Sequence, residues 1–202
     1  VGEHGLWWKQ TFYEESVRVP AIVSWPGVLP EGQRCNRVVS ALDLNATMLE
    51  ALGAPALPHS RGRSLLPLLA DPAGADWDDV AFSEFCLDSL GAGGPTGPEG
   101  VVVHRMVRRG PWKLCYYRGQ EPQLFNLDED PDELSDRAAD PACAAIRLEL
   151  TREVLDGWDP EWVAAEMAAR RRDHAILAGW ARAVQPPDQC RWQLLPEMDY
   201  LD

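Results

Sequence analysis

A histidine and a lysine lie close together in a glycine-bearing loop near the start of the chain. His4 and Lys9 flank the apolar residues 6–8, and the loop leads towards residues 21–25, an apolar run that predicts a short buried strand. Charged loop residues at the edge of a sheet are where α/β proteins commonly place ligand chemistry. His4 and Lys9 are therefore candidate site residues. The alternative is that both are solvated and the neighbouring tryptophans belong to the core.

The order of residues around this loop resembles the sulfatase family. Residues 2–20 read Gly-Glu-His-Gly-Leu-Trp-Trp-Lys-Gln-Thr-Phe-Tyr-Glu-Glu-Ser-Val-Arg-Val-Pro. This run is similar to the sulfatase block that follows the family's late metal-binding Asp-His pair. The resemblance implies that Lys9 reaches the sulfate group, and Glu14, Arg18 and Pro20 match the rest of the block.

Hydrolysis of a sulfate ester needs a nucleophile, a divalent cation that draws charge from the sulfuryl oxygens, and a proton source for the leaving alkoxide. The resemblance implies a formylglycine nucleophile made from the cysteine of a Cys-x-Pro-x-Arg motif, and a divalent metal, expected to be Ca²⁺, held by Asp and Asn or His side chains. No cysteine of this chain has that context. Nucleophile and metal ligands are therefore expected upstream, in a missing N-terminal part, and the chain alone is expected to be inactive.

Lys9 is the catalytic and substrate-binding residue that the resemblance assigns within this chain. Its ammonium group is expected to stabilise charge on the sulfuryl oxygens and on the bridging oxygen as the ester bond breaks. For His4 two interpretations stay open: it lines the substrate pocket or contacts the leaving group, or it is structural. No metal ligand is assigned here. The expected substrate is a small sulfate ester.

The composition excludes two classes of partner. The 202 residues include 19 basic and 32 acidic side chains, a net charge of −13, which argues against a nucleic-acid binder. The apolar runs are too short for a transmembrane helix, so no membrane partner is expected.

Five dispersed cysteines without a CxxC motif favour the reduced thiols of the cytoplasm over a disulfide framework; a periplasmic location is the alternative. They are Cys35, Cys86, Cys115, Cys143 and Cys190.

The first element expected behind the loop is a helix near residues 44–52. Ser40 or Asp43 can cap its amide groups, and Gly53 can take the left-handed position after its end. Four apolar residues of this helix share one face and predict that it packs on a sheet: Leu44, Met48, Leu49 and Leu52.

A small antiparallel sheet is expected over residues 80–127. Arg109-Gly110-Pro111 separates two strand-like runs as a hairpin turn would. Val101, Val103 and Val107 alternate with residues 104, 106 and 108, a period of two that indicates one buried sheet face. The acidic residues 128–133 lack the glycine and the ligand spacing of an EF-hand, so they are interpreted as a solvated turn.

Two helices are expected at the end, beginning at Asp140-Pro141 and Asp159-Pro160, the second about 24 residues long. Their apolar and aromatic residues exceed what a small core can bury, which predicts a homo-oligomer contact through the C-terminal tail. A helix folded back over the small sheet is the alternative. The residues concerned are Trp158, Trp162, Trp180, Trp192, Leu194, Leu195 and Tyr200.

The predicted fold is α/β, the C-terminal part of an alkaline-phosphatase-like sulfatase fold with a small antiparallel-sheet subdomain and a helical tail. Residues 1–72 are assigned to the end of the catalytic α/β domain, 73–157 to the subdomain and 158–202 to the tail. The opening loop and the tryptophan-rich end resemble choline-sulfatase and phosphonate monoester hydrolase relatives. Two alternative functions follow: a phosphonate or phosphate ester hydrolase on the same scaffold, or a non-catalytic binding or assembly protein.

Overall fold

Four antiparallel strands form the centre of the structure, a computed structural model that describes residues 2–6, 10–88 and 100–185. The strands are β1 (Val80–Asp88), β2 (Val101–Arg109), β3 (Trp112–Tyr117) and β4 (Gln123–Asn126). The α-helices are α1 (Glu14–Val17), α2 (Ala41–Ala51), α3 (Leu66–Ala70), α4 (Ala144–Leu155) and α5 (Pro160–Val184). Short 3₁₀ turns cover Glu3–Gly5 and Pro141–Cys143.

The strands form a meander in the order β1-β2-β3-β4, in which each strand pairs with the next along the chain. Arg109 pairs with Trp112 across the β2–β3 turn, and Gly110 in that turn has φ 53°, a value that glycine adopts without the penalty a Cβ would bring. The small antiparallel sheet and the hairpin predicted from the sequence are therefore confirmed.

One face of the sheet packs against α4 and the start of α5. Val107, Leu114 and Leu124 contact Leu150 and Val154 of α4, and all five are fully buried. Burying a side chain of this size contributes about 2 kcal/mol, so this cluster is the main apolar core of the described residues. A second cluster joins β2 to α5 through Val101, Val103, Ala164 and Met167.

The opposite face is covered by residues 10–18, named here the N-terminal segment. Phe12 of this segment packs on Met106 and Cys115, which lie on strands β2 and β3. All three are at most 4% exposed. Alternation along β2 predicts one buried face, and the structure shows that the other face is buried too, because the start of the chain lies across it.

Helix α2 begins after Ser40, one of the two predicted caps and three residues before position 44, and its packing differs from the prediction. Ser40 is its N-cap, and its capping box with Asp43 supports the first turn. The predicted apolar face does not pack on the sheet of this chain, since Met48 and Leu52 are 58% and 80% exposed. The buried side instead carries Thr47, whose hydroxyl donates to the Asp43 carbonyl and accepts from the Leu65 amide.

Residues 21–25 form no strand, which corrects the predicted short buried strand. The run is irregular, and Ile22, Val23 and Trp25 are 95%, 41% and 37% exposed. A strand is stable when a neighbour satisfies its backbone amide and carbonyl groups. The strands in the described part of the chain pair with one another and with no residue of this run, so its apolar side chains stay exposed.

Helix α5 begins where the sequence predicts, whereas Asp140-Pro141 begins a 3₁₀ turn and α4 follows it from Ala144. Asp140 caps the 3₁₀ turn before α4, and Asp159 caps α5 with Pro160 at its first position. Helix α5 is attached near its start, where Glu161 forms a bidentate ion pair with Arg118, whereas residues 172–180 are exposed. Among the residues with described positions, no helix is both long and apolar enough to cross a membrane.

Candidate functional site

His4, one of the two predicted site residues, lies in a fixed setting. It occupies the 3₁₀ turn with φ 53°, and its imidazole stacks on the Tyr13 ring at 3.8 Å between centroids and 6° between planes. Its Nε2 atom lies 3.9 Å from the Glu15 carboxylate, and its side chain is only 14% exposed. The imidazole is therefore held against the N-terminal segment rather than freely solvated.

Lys9, the predicted catalytic residue, lies outside the described residues, together with residues 7 and 8. The backbone before it closes into a compact turn, because the Gly2 amide donates to the Leu6 carbonyl and the Leu6 amide to the Glu3 carbonyl. The backbone after it enters the N-terminal segment. The described residues on both sides of Lys9 thus have defined positions.

The N-terminal segment is anchored by a buried ammonium group. Lys113 of β3 is 0% exposed, and its Nζ donates to the Phe12 carbonyl at 2.8 Å and to Glu133 Oε1 at 2.7 Å. The same nitrogen lies 2.8 Å from Glu14 Oε1. An ammonium group has three donors, and here each of them has an oxygen partner.

Two further contacts complete what we call the buried ion cluster: Lys113, Glu14, Glu133 and Arg108. Arg108 Nη1 donates to Glu14 Oε2 at 2.8 Å, and the Glu14 amide donates to Glu133 Oε2 at 2.6 Å. Two cations thus balance two carboxylates. Burial raises the pKa of Glu133 above its usual value, and the hydrogen bond from Lys113 opposes that shift.

Glu133 corrects the interpretation of residues 128–133 as a solvated turn. Asp128, Glu129 and Asp132 are exposed, but Glu133 is 3% exposed and lies in the core. The signal available in the sequence was Lys113, a charged residue within an otherwise apolar strand. A buried lysine requires a carboxylate partner, although no spacing rule identifies which one.

The other three histidines have different surroundings. His59 and His174 are exposed. His104 lies on β2 next to the rings of Phe85 and Tyr117, with Nδ1 2.9 Å from the Val103 carbonyl oxygen. Burial lowers the pKa of His104 below its usual 6.5, so the neutral imidazole is favoured and acts as part of the packing.

A cavity of about 460 Å³ lies between α2 and β1. Its charged side chains are largely paired with one another: Arg63 Nη1 lies 2.7 Å from Asp78 Oδ2, and Arg105 Nε lies 3.4 Å from Glu84 Oε1. The Arg105 guanidinium also lies over the Phe82 ring, at 4.6 Å from its centroid. The described residues of the His4 loop do not line this cavity.

The described residues do not fit a metal centre. No group of three His, Cys, Asp or Glu side chains among them is arranged to hold a metal ion. Glu14 and Glu133, the carboxylates that hold the N-terminal segment, are already engaged with Lys113. We therefore derive no chemical step that passes through a metal held by these residues.

The match to a family model defines the class of this chain. Residues 2–158 match the C-terminal domain of N-sulphoglucosamine sulphohydrolase, a stretch that contains the His4 loop, the sheet and α4. The chain therefore belongs to the sulfatase family, as its opening motif indicated. Its fold is that of the C-terminal part of an alkaline-phosphatase-like sulfatase.

Individual relatives agree with this assignment. The chain is 34% identical to arylsulfatase K of Gallus gallus over 166 residues, which is 76% of this chain and 27% of the relative. It is 31% identical to choline-sulfatase of Rhizobium meliloti over 154 residues, 75% of this chain and 27% of the relative. The structure of phosphonate monoester hydrolase from Silicibacter pomeroyi is similar with a TM-score of 0.60 and 30% identity, over 74% of this chain and 30% of that one. The chain thus spans about a quarter to a third of the length of these relatives.

Proposed function

We propose that this chain is the C-terminal part of a sulfatase that hydrolyses small sulfate monoesters. The observation that carries the proposal is the family match over residues 2–158, which begins at the loop that bears His4 and Lys9. The relatives named arylsulfatase and choline-sulfatase support hydrolysis of sulfuric esters. The chemistry of the whole protein then depends on this part together with the rest of the catalytic domain.

Lys9 supplies the catalytic contribution of this chain. Its ammonium group binds the sulfuryl oxygens and stabilises the charge that develops on them and on the bridging oxygen in the transition state. His4 contributes to the substrate pocket. A group that contacts the substrate acts best from a fixed position. The contacts of the His4 imidazole with Tyr13 and Glu15, close to the start of the N-terminal segment, support this role because they fix the ring.

The nucleophile and the metal are assigned to the rest of the protein. Sulfatases generally use a divalent metal, and we propose Ca²⁺ together with a formylglycine nucleophile, both held by residues outside this chain. When bound, the metal would withdraw charge from the sulfuryl oxygens. The 202-residue chain alone is accordingly expected to be inactive.

Exposed apolar residues support the assignment of residues 1–72 to a larger catalytic domain. Ile22, Met48 and Leu52 are all more than half exposed, as are Val19 and Leu57. Apolar surface of this extent generally marks an interaction site. We propose that the rest of the catalytic domain packs on it, while residues 73–157 form the small-sheet subdomain and 158–202 the helical tail.

Substitution of Lys9 in the full-length protein tests the proposed function. Lys9→Ala should reduce turnover of an aryl sulfate by roughly 100-fold or more, because removing one transition-state contact costs about 3 kcal/mol, and should leave the fold intact by circular dichroism. Arg34→Ala, which removes an exposed cation from a surface loop, is the matched control and should retain wild-type kinetics. Near-wild-type turnover by Lys9→Ala would refute the role of Lys9.

The second candidate activity is hydrolysis of phosphonate or phosphate esters. The similarity to a phosphonate monoester hydrolase structure favours it. Turnover of paired aryl sulfate and aryl phosphonate esters by the full-length protein separates the two candidates. A larger kcat/KM for the sulfate ester supports the sulfatase, and the reverse ratio supports the alternative.

The oligomeric state and the cellular location of the protein are also proposed. Helix α5 exposes Ile176, Leu177 and Trp180, and we propose that this apolar stripe and the tail that follows it form a contact between two copies of the protein. The predicted tail residues 186–202 lie outside the described residues. The cytoplasmic location stays a prediction from the cysteine pattern of the sequence.

A further inference from the structure

We propose that the buried ion cluster is a positioning device for the loop that carries His4 and Lys9, so that Lys113, Glu14 and Glu133 act on catalysis through that loop. This inference rests on the proposed function. None of the three is proposed to touch the substrate. Each is a positioning residue whose effect reaches the reacting atoms through the backbone of the N-terminal segment.

The buried ion cluster binds the chain a few residues C-terminal to Lys9. Phe12 and Glu14 follow Lys9 by three and five residues, and Lys113 Nζ bonds both, through the Phe12 carbonyl at 2.8 Å and the Glu14 carboxylate at 2.8 Å. Glu133 fixes the same stretch from another side, because it accepts from the Glu14 amide at 2.6 Å. Backbone and side chain of the segment are therefore held at once.

Tyr13 connects the buried ion cluster to His4. Tyr13 lies between Phe12 and Glu14, the two residues that Lys113 holds. Its ring stacks on the His4 imidazole with 3.8 Å between ring centroids, and its centroid lies 6.1 Å from that of the Phe125 ring. Glu15, the next residue, faces His4 Nε2 at 3.9 Å. A shift of the segment on the sheet would thus move His4 as well as the backbone that enters Lys9.

Directional bonds explain why this contact is ionic rather than apolar. A buried ion pair adds little net stability over an apolar contact of equal volume, because both charges lose their hydration. It does, however, restrict geometry, since three donors on one nitrogen must meet three oxygens. Phe12 on Met106 and Cys115 already provides apolar attachment. The ion cluster adds a defined register, and a displacement of about 1 Å in an active site can cost roughly 100-fold in rate.

The test compares two ion pairs of strand β2. Arg108 joins β2 to Glu14 of the N-terminal segment, and Arg109 joins it to Glu153 of α4. Glu14→Gln in the full-length protein removes the charge from the N-terminal segment and keeps the side-chain shape. Glu153→Gln is the matched control, because Glu153 pairs with Arg109, the residue after Arg108, but belongs to α4. We expect kcat for an aryl sulfate to fall by about 100-fold in Glu14→Gln with little change in KM, and to stay at the wild-type value in Glu153→Gln.

A readout of position that does not depend on activity completes the test. In protein labelled with ¹³C-histidine, the His4 ring signal, assigned with His4→Gln, should carry the ring-current shift of Tyr13 and lose it in Glu14→Gln only. If Glu14→Gln does not fold, Arg108→Gln removes the outer contact of the cluster, where the Arg108 side chain is 27% exposed.

The outcomes separate the inference from the proposed function. Wild-type protein without sulfatase activity would refute the proposed function, and the His4 signal would still test the positioning. Active wild-type protein in which Glu14→Gln keeps both kcat and the His4 signal would overturn the inference. Equal losses of kcat in Glu14→Gln and Glu153→Gln would overturn it too, because they would indicate a general effect on stability.

Discussion

Replacement of Lys113 by methionine should strongly destabilise the small sheet. Lys113 is fully buried and bonds Phe12, Glu14 and Glu133. Without the ammonium group, Glu14 keeps Arg108 as its partner. Glu133, with a side chain only 1% exposed, keeps the Glu14 amide but loses its counter-charge, so a carboxylate is left uncompensated in the core.

The magnitude follows from that orphaned charge. Removing one partner of a buried ion pair costs about 3–5 kcal/mol, although Met itself packs as well as the lysine stem. The penalty depends on pH with a defined sign. Burial already raises the pKa of Glu133, and loss of Lys113 raises it further. The penalty is therefore complete at pH values above that raised pKa and diminishes as the pH falls and Glu133 is protonated.

Hydrogen exchange of the β3 and β4 amides, followed by mass spectrometry in the full-length protein, measures this effect locally. Exchange in Lys113→Met should be faster than in the wild type by roughly 100-fold or more at neutral pH, with a smaller difference at pH 5. The double variant Lys113→Met/Glu133→Gln removes the orphaned charge and should recover most of the protection. Unchanged exchange in the single variant, or no recovery in the double variant, would refute the reasoning.

Three further predictions concern other parts of the molecule. Burial lowers the pKa of His104, so the unfolded chain binds an extra proton as the pH falls below 6.5, and the wild type should lose stability there. His104→Phe should reduce this loss, and melting curves at pH 5 and 7.5 that differ equally in both proteins would contradict it. A Cβ at position 62 would lie 2.2 Å from the Leu42 carbonyl oxygen, so Gly62→Ala should cost about 1–3 kcal/mol in thermal unfolding, whereas Gly179→Ala in open space on α5 should cost nothing. Trp180→Glu should lower the mass measured by light scattering if α5 joins two copies of the protein, and an unchanged mass would exclude Trp180 from that contact.

Much of the fold could be predicted because its signals are local. The turn at Gly110, the cap at Ser40 and the cap-proline pair at Asp159 and Pro160 each act through residues within one turn of the chain. The alternating valines of β2 indicated the face that packs on α4 and α5. These interactions do not depend on what lies elsewhere in the chain, so the residue types alone reveal them.

The wrong predictions all depended on distant partners. Residues 21–25 have the composition of a strand, but composition does not supply the neighbouring strand that they need. The apolar face of α2 was assigned to a sheet, while Thr47 and Asp43 hold the helix against residues 63–65. Glu133 was interpreted as solvated because its partner Lys113 is 20 residues away. The opening motif pointed to the loop of the candidate site, but the anchoring of the N-terminal segment behind that loop by Lys113 was not predicted.

The buried ion cluster has a consequence for the order in which the chain folds. The strands form a meander, so each pairing closes only a short loop, whereas the bond between the Glu14 amide and Glu133 joins residues 119 positions apart. Contacts of such long sequence separation form late, because the entropy lost in closing the loop comes before any gain. The N-terminal segment is therefore expected to cover Met106 and Cys115 only after the sheet has formed, and contacts made that late control how fast the protein unfolds rather than how fast it folds.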